Sequence, residues 1–334
     1  MASISAPIAS VDLEALLPTS LKDVENLQTA IPRLAKDARI MRDIELAASQ
    51  TPTTHHLFRA DARNLDFIPD NSVHLIVTSP PYWNLKQYHP HEHQLGAIDD
   101  YETFLHELEK VWRHSFRVLV PGGRLICVVG DVLLSRKKNK GRHTVVPFHA
   151  SIQEQCRYIG FDNLAPIIWY KISNVAFEAA GNGGGFLGKP YEPNAIIKND
   201  IEYILMQRKP GGYRKVSRAA RLLSIISAEN HKQWFTQIWT GITGASTRRH
   251  PAPYPEILAE RLIRMFSFVG DTVLDTFMGT GTTNVVAAKW GRHSIGVEVD
   301  PDYFEDAYSR MRQVAGSLFA QIDIIPSELE NEGV

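Results

Sequence analysis

Short hydrophobic runs alternate with amphipathic stretches along most of the chain. Residues 73–77, 124–129 and 201–207 are rich in Val, Ile and Leu, a pattern that predicts buried strands. Residues 101–118, between the first two runs, carry apolar side chains at helical spacing. Strands that alternate with helices predict an α/β fold, in which a mostly parallel sheet carries helices on both faces.

The remaining predicted elements continue this alternation towards the C-terminus. Further helices are predicted over residues 35–48, 144–159, 255–268 and 282–290, and further strands over residues 164–170, 271–275 and 294–298. Pro80 and Pro81 end the strand that precedes them, because proline cannot donate a hydrogen bond within a central strand. Residues 271–300 therefore form a complete predicted β-α-β unit.

Composition bounds the class of protein. The 334 residues suffice for one large α/β domain with a smaller appended region. The 36 Lys and Arg residues nearly balance 37 Asp and Glu residues, which disfavours a wholly basic DNA-coating protein but leaves local basic patches open. No apolar stretch approaches the ~20 residues that cross a bilayer, and the N-terminus lacks a signal-peptide pattern. Cys127 and Cys156 fit small core residues of a protein in a reducing cytoplasm.

Pattern and charge divide the chain into five segments. Residues 1–55 are a mixed N-terminal extension, and residues 321–334 are a short C-terminal tail. Residues 56–210 and 250–320 are the two halves of one predicted α/β domain. Residues 211–249 are an insert that begins with a basic stretch.

The turn inside the predicted β-α-β unit suits a nucleoside ligand. Gly279 and Gly281 allow the backbone to pass close to a ligand, where a side chain would block it. Glu298, at the end of the second strand, is well placed to bond both hydroxyls of a ribose. The run lacks the third glycine of a dinucleotide motif and the Gly-Lys of a triphosphate-binding loop. S-adenosylmethionine, which has no phosphate, fits best; the alternative is that the glycines only make a sharp turn.

A second motif directly follows a predicted strand and suits methylation of an exocyclic amine on a base. Such a nitrogen is a poor nucleophile because its lone pair is delocalised into the ring. The hydroxyl of Ser79 and the carbonyl of Pro80 can each accept a hydrogen bond from the amine, and Pro81 stiffens the loop. Tyr82, with its neighbour Trp83 as a second candidate, would stack on a base swung out of the duplex. The alternative is a turn with a packing aromatic side chain.

Together these two motifs resemble the amino-methyltransferases of bacterial restriction-modification systems. The catalytic loop, residues 78–83, precedes the cofactor loop, residues 275–283, which is the order of the family's β group. The resemblance covers about residues 57–314. It implies a Rossmann-like methyltransferase fold and direct in-line transfer from S-adenosylmethionine to a flipped base. It also implies a set of cofactor contacts: Asp61, Thr78, His250, Asp275, Phe277, Gly279, Gly281, Thr282, Thr283 and Glu298.

Departures from the family pattern bear on which base is methylated. Many adenine-specific members carry Asp at the position of Ser79, and members with Ser-Pro-Pro-Tyr most often resemble N4-cytosine enzymes. We therefore expect cytosine N4, with adenine N6 as the alternative. Thr276 replaces the usual proline of the cofactor loop, which costs rigidity but no ligand group. Methylation at carbon 5 of cytosine is disfavoured, because neither Cys127 nor Cys156 lies in a Pro-Cys loop.

Basic residues in residues 136–142 and in the insert are predicted to contact DNA phosphates. They are Arg136, Lys137, Lys138, Lys140, Arg214, Lys215, Arg218 and Arg221. We assign the aromatic residues of the insert, Trp234 and Trp239 among them, to a small satellite core. The histidine run at residues 89–93 matches no common zinc spacing, so no metal is expected.

The resemblance implies double-stranded DNA as the substrate and allows a cognate restriction endonuclease and a homodimer as partners. Two alternatives of other classes stay open. One is a methyltransferase that acts on RNA or on a protein glutamine. The other is a non-catalytic nucleic-acid binding module that kept the fold.

Overall fold

The computed structural model describes residues 11–83, 93–134, 136, 139–171, 199–245, 253–317 and 322–328. Its strands are β1 (Thr53–Arg59), β2 (Val73–Thr78), β3 (Leu119–Val129), β4 (Val132–Leu134), β5 (Thr144–Val146), β6 (Asp162–Tyr170), β7 (Ile201–Arg208), β8 (Ile238–Trp239), β9 (Thr272–Asp275), β10 (His293–Glu298) and β11 (Ile322–Glu328). Its α-helices are α1 (Leu27–Leu34), α2 (Ala38–Ser49), α3 (Tyr101–Val118), α4 (Phe148–Ile159), α5 (Arg218–Leu223), α6 (Ala228–Trp234), α7 (Glu256–Phe266), α8 (Thr282–Lys289) and α9 (Pro301–Ser317).

Nine of the strands in the described residues form one twisted sheet, in the order β11-β1-β10-β9-β2-β3-β7-β6-β8. The six strands from β11 to β3 are parallel, and β7 runs antiparallel to both β3 and β6. The predicted mostly parallel sheet is confirmed. Strands β9 and β2 are adjacent at the centre of the sheet. The next strand after β9 in the chain, β10, lies on one side of this pair, and the next strand after β2, β3, lies on the other side. The carboxyl ends of β9 and β2 therefore flank a topological switch point, where ligands of such sheets bind.

Helices cover both faces of this sheet, as the sequence predicts. On one face, α3 and α4 bury residues such as Phe104 and Phe148 against β2 and β3. On the other face, α7 and α8 bury Leu262 and Val286 against β2 and β9. The helix α9 packs over β1 and α8 through Phe304. This double cover leaves the two ends of the sheet as the accessible places for a ligand.

The structure differs from the predicted elements before α4. The predicted helix over residues 144–159 begins only at Phe148, and residues Thr144–Val146 pair with β4 in a two-stranded hairpin. Two of these three strand residues are valine, which favours strand, and Pro147 stands immediately before the helix, where its missing N–H is tolerated. The helix ends at Gly160, whose positive φ of 118° suits glycine. The hairpin follows the carboxyl end of β3.

The first part of the insert packs on the N-terminal extension. Leu222 and Leu223 of α5 share one buried cluster with Leu34 and Ile44 of helices α1 and α2. Arg218 donates hydrogen bonds to the carbonyls of Leu21, Lys22 and Val24, at 2.8, 2.5 and 2.8 Å. The later part of the insert contributes β8, which pairs in parallel with β6 at the edge of the sheet. The tail adds β11 to the opposite edge, beside β1.

Candidate active site

The catalytic loop and the cofactor loop meet at the switch point of the sheet. The hydroxyl of Thr78, at the end of β2, donates to Oδ1 of Asp275, at the end of β9, over 2.8 Å. The Thr78 and Thr276 hydroxyl oxygens lie 3.1 Å apart. Residues nearly two hundred positions apart in the chain thus join two loops, because the carboxyl ends of adjacent parallel strands lie at one edge of the sheet.

Asp275 is the buried centre of this junction, only 1% exposed. Besides Thr78, its carboxylate accepts from the hydroxyls of Thr283 (2.7 Å) and Tyr254 (3.0 Å) and from the backbone N–H of Phe277 (3.1 Å). Burial raises the pKa of Asp275, while these hydrogen bonds act in the opposite direction. Burial, together with the nearby Asp275 charge, also raises the pKa of Tyr254 well above its ordinary value. Asp275 fixes the two loops to each other and is not part of the pocket wall described next.

An open pocket of about 560 Å³ lies beside this junction. Both loops contribute to its wall, together with the end of β10 and the start of α9. Among the lining residues are Ser79, Pro81, Phe277, Val297, Glu298 and Tyr303. A catalytic-loop hydroxyl, a carboxylate and apolar side chains therefore face one cavity.

Glu298 holds its carboxylate in the pocket wall through backbone amides. Its Oε2 accepts from the N–H of Gly279 at 2.8 Å, and its Oε1 accepts from the N–H of Asp300 at 2.9 Å. Gly279 has a positive φ of 52°, which a glycine adopts without strain. Burial raises the pKa of Glu298 to about 7, despite the two amide donors that lower it.

The residues around Glu298 fit S-adenosylmethionine. Each carboxylate oxygen has a second lone pair, so Glu298 can accept ribose hydroxyls while it keeps its amide donors. Phe277 and Val297 give the pocket apolar walls of the kind that an adenine ring requires.

Three predicted cofactor residues support the turn from behind. At Gly281, where φ is 78°, an added Cβ would lie only 3.0 Å from the Cβ of Ala307 on α9. Thr282 accepts a hydrogen bond from Arg310 at 3.3 Å. Thr283 is fully buried and bonds Asp275. These residues shape the loop and, unlike Phe277, are not part of the pocket wall.

Asp61 lies between two residues that line the pocket, Ala60 and Ala62. Its carboxylate is held by the guanidinium of Arg63, with Nη2 and Oδ2 separated by 2.6 Å. Arg63 also pairs with Glu107 on α3 at 2.7 Å. The structure therefore places Asp61 next to the pocket, with its side chain oriented by an ion pair. His250, the remaining predicted cofactor contact, lies outside the described residues.

The catalytic loop runs along the pocket and then turns into the core. Ser79 is half-buried, and Tyr82 is only 7% exposed. A Cβ added at Gly130, beyond the end of β3, would lie 3.3 Å from the Tyr82 ring. Trp83 donates its indole N–H to the Asp99 carbonyl at 3.2 Å and packs 5.0 Å from the Tyr101 ring, so it anchors the loop. The arrangement gives Trp83 a packing role and leaves Ser79 at the cavity.

The basic residues predicted to contact DNA separate onto different parts of the molecule. Arg136 and Lys140 belong to the hairpin that follows the carboxyl end of β3, on the same side of the sheet as the pocket. Arg214 instead forms an ion pair with Asp271, which precedes β9 at the opposite edge. Arg218 pairs with Glu14 and with backbone carbonyls of the N-terminal extension.

The intramolecular partners of Arg214 and Arg218 differ from the expected contacts with phosphates. Lys215 and Arg221 are exposed. Lys137 and Lys138 lie outside the described residues.

Some residues of this site were not singled out from the sequence. Tyr254 bonds Asp275 from the segment before α7. Asp131, the second residue after β3, accepts a 2.6 Å hydrogen bond from the ring of His149. The same rule that identified residues after β2 and β9 applies to β3, so the position of Asp131 was a usable signal.

Other kinds of site are not evident in the described part of the chain. No group of three or more His, Cys, Asp or Glu residues there could hold a metal ion, and no helix there is long and apolar enough to span a membrane. Burial raises the pKa of both the Cys127 and Cys156 thiols, which opposes a role as a nucleophile.

Known proteins resemble this chain over most of its length. The N6/N4 methylase family model, described as DNA methylase, matches residues 73–309. The type II methyltransferase M.MjaI of Methanocaldococcus jannaschii is 38% identical over an alignment of 276 residues, and the match covers 74% of this chain and 88% of the relative.

Solved structures share the fold. The protein TTHA0409 of Thermus thermophilus, in complex with S-adenosyl-L-methionine, is 50% identical with a TM-score of 0.66; the match covers 81% of this chain and 98% of that chain. The PvuII DNA methyltransferase, a cytosine-N4-specific enzyme, has a TM-score of 0.56 at 18% identity, over 82% of this chain and 96% of that chain. At that identity the likeness concerns the fold alone.

Proposed function

We propose, from the premise that this chain belongs to the N6/N4 family of DNA methylases of restriction-modification systems, that it methylates the N4 amine of cytosine at a specific site in duplex DNA. The methyl donor is S-adenosylmethionine. The observation that carries the proposal is that Ser79 and Glu298 line one pocket, held in place by the bond between Thr78 and Asp275.

The pocket can position both partners of a direct transfer. When bound, S-adenosylmethionine supplies an electrophilic methyl group on a sulfonium. Glu298 and Phe277 would hold the nucleoside part, which leaves the Ser79 side of the pocket for the base. Ser79 Oγ and the Pro80 carbonyl would each accept a hydrogen bond from the amine, which localises the nitrogen lone pair. Most of the rate gain would come from this positioning.

The preference for cytosine rests on the residue at position 79. Serine stands where many adenine-specific members of the family carry aspartate. Both bases present a similar amine, so N6 of adenine is the alternative product. Tyr82 would supply the ring on which the base stacks, and a Cβ added at Gly130 would lie 3.3 Å from that ring.

The duplex would lie across the carboxyl edge of the sheet, with phosphates near Arg136 and Lys140. Lysine and arginine at this edge would neutralise phosphates while the base enters the pocket. We propose a cognate restriction endonuclease as a functional partner, because relatives of this chain are named type II methyltransferases.

Identification of the methylated nucleoside tests the proposal. The purified protein is incubated with S-adenosylmethionine in two reactions, one with duplex DNA and one with structured RNA, each of varied sequence. The nucleic acid is then digested and analysed by liquid chromatography and mass spectrometry. We expect N4-methylcytosine in the DNA sample alone. N6-methyladenine would establish the alternative base, and methylation of RNA alone would overturn the assignment to DNA.

A further inference from the structure

His149 and Asp131 form a hydrogen-bonded pair at the carboxyl edge of the sheet. The Asp131 Oδ1 and His149 Nδ1 atoms are 2.6 Å apart. The imidazole ring also stacks on Tyr203, with ring centroids 3.9 Å apart and planes 13° from parallel. Two contacts therefore fix the ring, one at its edge and one on its face. The side chain of His149 remains 23% exposed and that of Asp131 12% exposed.

This pair lies beside the catalytic loop. Thr78 of β2 is in register with Cys127 of β3, so the residues after both strands leave the sheet at the same edge. Gly130 separates β3 from Asp131, and a Cβ there would lie 3.3 Å from the Tyr82 ring.

A second series of contacts connects the catalytic loop to α4, the helix that carries His149. Trp83 packs on Tyr101, which donates a 3.1 Å hydrogen bond to Ser151 on α4. His149 is the second residue of α4, so it lies one helical turn at most from this contact.

A purely structural role explains only part of this geometry. Asp131 Oδ1 accepts the backbone N–H of His149 at 3.2 Å and thereby caps the start of α4, whose own cap residue is Pro147. Any residue at position 149 would supply that N–H. The 2.6 Å bond to the ring and the stack on Tyr203 are additional, and they orient an imidazole rather than a helix.

The proposed reaction needs a group that accepts a proton. When the amine nitrogen bonds to the methyl carbon, the carbon–sulfur bond breaks and its electron pair remains on sulfur. The nitrogen then carries a positive charge until it loses one hydrogen as a proton. Ser79 and Pro80 can accept hydrogen bonds, but a hydroxyl and an amide carbonyl are too weakly basic to keep that proton.

We propose that His149, oriented by Asp131, takes up the proton that the methylated amine releases. This inference rests on the proposed function. The Asp131 carboxylate accepts from Nδ1–H, so in the neutral ring Nε2 carries the lone pair that receives the proton. Asp131 stabilises the resulting imidazolium, which passes its proton to solvent through its exposed part.

Recognition of the base edge by His149 is the competing role. Cytosine and adenine both present a hydrogen-bond acceptor beside their amine. A neutral ring that donates from Nδ1 to Asp131 offers another acceptor at Nε2, which mismatches that edge. The tautomer therefore favours proton uptake over recognition.

Charged and titratable groups surround the pair from several elements. Tyr203 of β7 and Tyr101 of α3 face it, and the pair Lys171–Glu202 lies beside Gly130, with Nζ and Oε1 separated by 2.5 Å. Burial, followed by the charge of Asp131, raises the pKa of Tyr203, so this neighbour stays neutral in the working range. Among these neighbours, the imidazole of His149 is the type of side chain that most often serves as a general base.

The test compares His149→Gln and Asp131→Asn with the unaltered protein in single-turnover methylation of duplex DNA between pH 6 and 9. His106→Gln, an exposed histidine on α3, is the matched control. We expect His149→Gln to lower the rate about 100-fold at pH 7, with unchanged affinity for S-adenosylmethionine by calorimetry. Its remaining rate should rise with pH as hydroxide replaces the lost base. Added imidazole should partly restore His149→Ala.

Distinct results would overturn the inference. A rate for His149→Gln within about threefold of the unaltered protein, or a loss that neither pH nor imidazole reverses, contradicts proton uptake. Weaker binding of DNA with an unchanged pH profile would instead establish base recognition. If the unaltered protein methylates no nucleic acid, the proposed function itself fails, and that outcome is separate from the behaviour of the variants.

Discussion

The two ends of strand β9 each carry a buried aspartate, and their surroundings differ in kind. At the carboxyl end, Asp275 accepts hydrogen bonds from neutral hydroxyls and one backbone amide. At the amino end, Asp271 is paired with the guanidinium of Arg214 and accepts from the N–H of Phe268.

The difference separates the two roles: we assign catalysis to the carboxyl end of β9 and structural support to its amino end. Neutral donors hold the Asp275 carboxylate at the active edge, whereas a guanidinium holds the Asp271 carboxylate at the other edge. The ion pair at the other edge joins the insert to the sheet. Asp271 lies four residues before Asp275, which corresponds to roughly 13 Å along the strand.

Loss of the Ser79 hydroxyl should have the largest effect on the methylation rate. It tests whether the reaction takes place at the carboxyl edge of the sheet. We expect Ser79→Ala to lower the methylation rate by about 100-fold or more, because the amine loses one of its two acceptors. Affinity for S-adenosylmethionine should persist, since Glu298 and Phe277 are unchanged. Single-turnover assays and calorimetry measure the two effects. Ser49→Ala on α2 is the control, and equal activity of both variants would refute the assigned role.

Replacement of Glu298 should weaken cofactor binding and change its pH dependence. We expect Glu298→Gln to bind S-adenosylmethionine about 10- to 100-fold more weakly, because hydrogen bonds to a charged carboxylate contribute about 1.5–3 kcal/mol. The pKa of about 7 predicts that the unaltered protein binds about tenfold more weakly at pH 6 than at pH 8, if the ionised form binds. Calorimetry across this range tests it, with exposed Glu305→Gln as the control. A flat profile for the unaltered protein would contradict the ribose role.

The stability of the protein without cofactor should fall as the pH rises, whereas its affinity for S-adenosylmethionine should increase. The folded-state pKa of Glu298 lies above its ordinary value, so its protonated form stabilises the fold. That contribution is full below about pH 4.5 and is lost as the pH rises through about 7. Relative to Glu298→Gln, the unaltered protein should therefore lose stability across this window, as measured by urea unfolding.

The ion pair at the amino edge should matter for stability and not for chemistry. We expect Arg214→Met to lower the free energy of unfolding by about 2 kcal/mol, because the buried Asp271 carboxylate loses its charged partner. The methylation rate at saturating substrates should not change. Urea unfolding and the methylation assay measure the two quantities, with the exposed neighbour Lys215→Met as the control. A large loss of activity without loss of stability would place Arg214 at the DNA.

Removal of basic residues should have the smallest effect, and it tests which edge of the sheet faces DNA. We expect a protein with both Arg136→Ala and Lys140→Ala to bind duplex DNA several-fold more weakly and to reduce the slope of log affinity against log salt by about 1–2. Lys215→Ala with Arg221→Ala, on the other part of the molecule, should leave both unchanged. Fluorescence anisotropy at several salt concentrations measures the slope. The reverse pattern would assign DNA contact to the insert.

The sequence predicted much of the sheet because each strand is a local property. The run before Ser79 and the run before Asp275 are hydrophobic over the length of a strand, and the prolines and glycines that follow them end it. The start of α4 was predicted four residues too early, because residues 144–147 can extend an amphipathic pattern and only pairing with β4 makes them a strand. Arg218 illustrates the other limit: its charge predicted a phosphate contact, whereas the N-terminal extension supplies three carbonyl acceptors.

By itself the sequence predicted the alternation of the central strands and helices, the two loops to which we assign the chemistry and the acidic residue at the end of β10. These follow from side-chain polarity and backbone preference over a few neighbouring residues. Only the tertiary structure decided that Thr78 bonds Asp275, that Arg214 pairs with Asp271 and that His149 meets Asp131. Each of those contacts joins segments distant in the chain, and their proximity depends on strand order and on the packing of helices rather than on any local pattern.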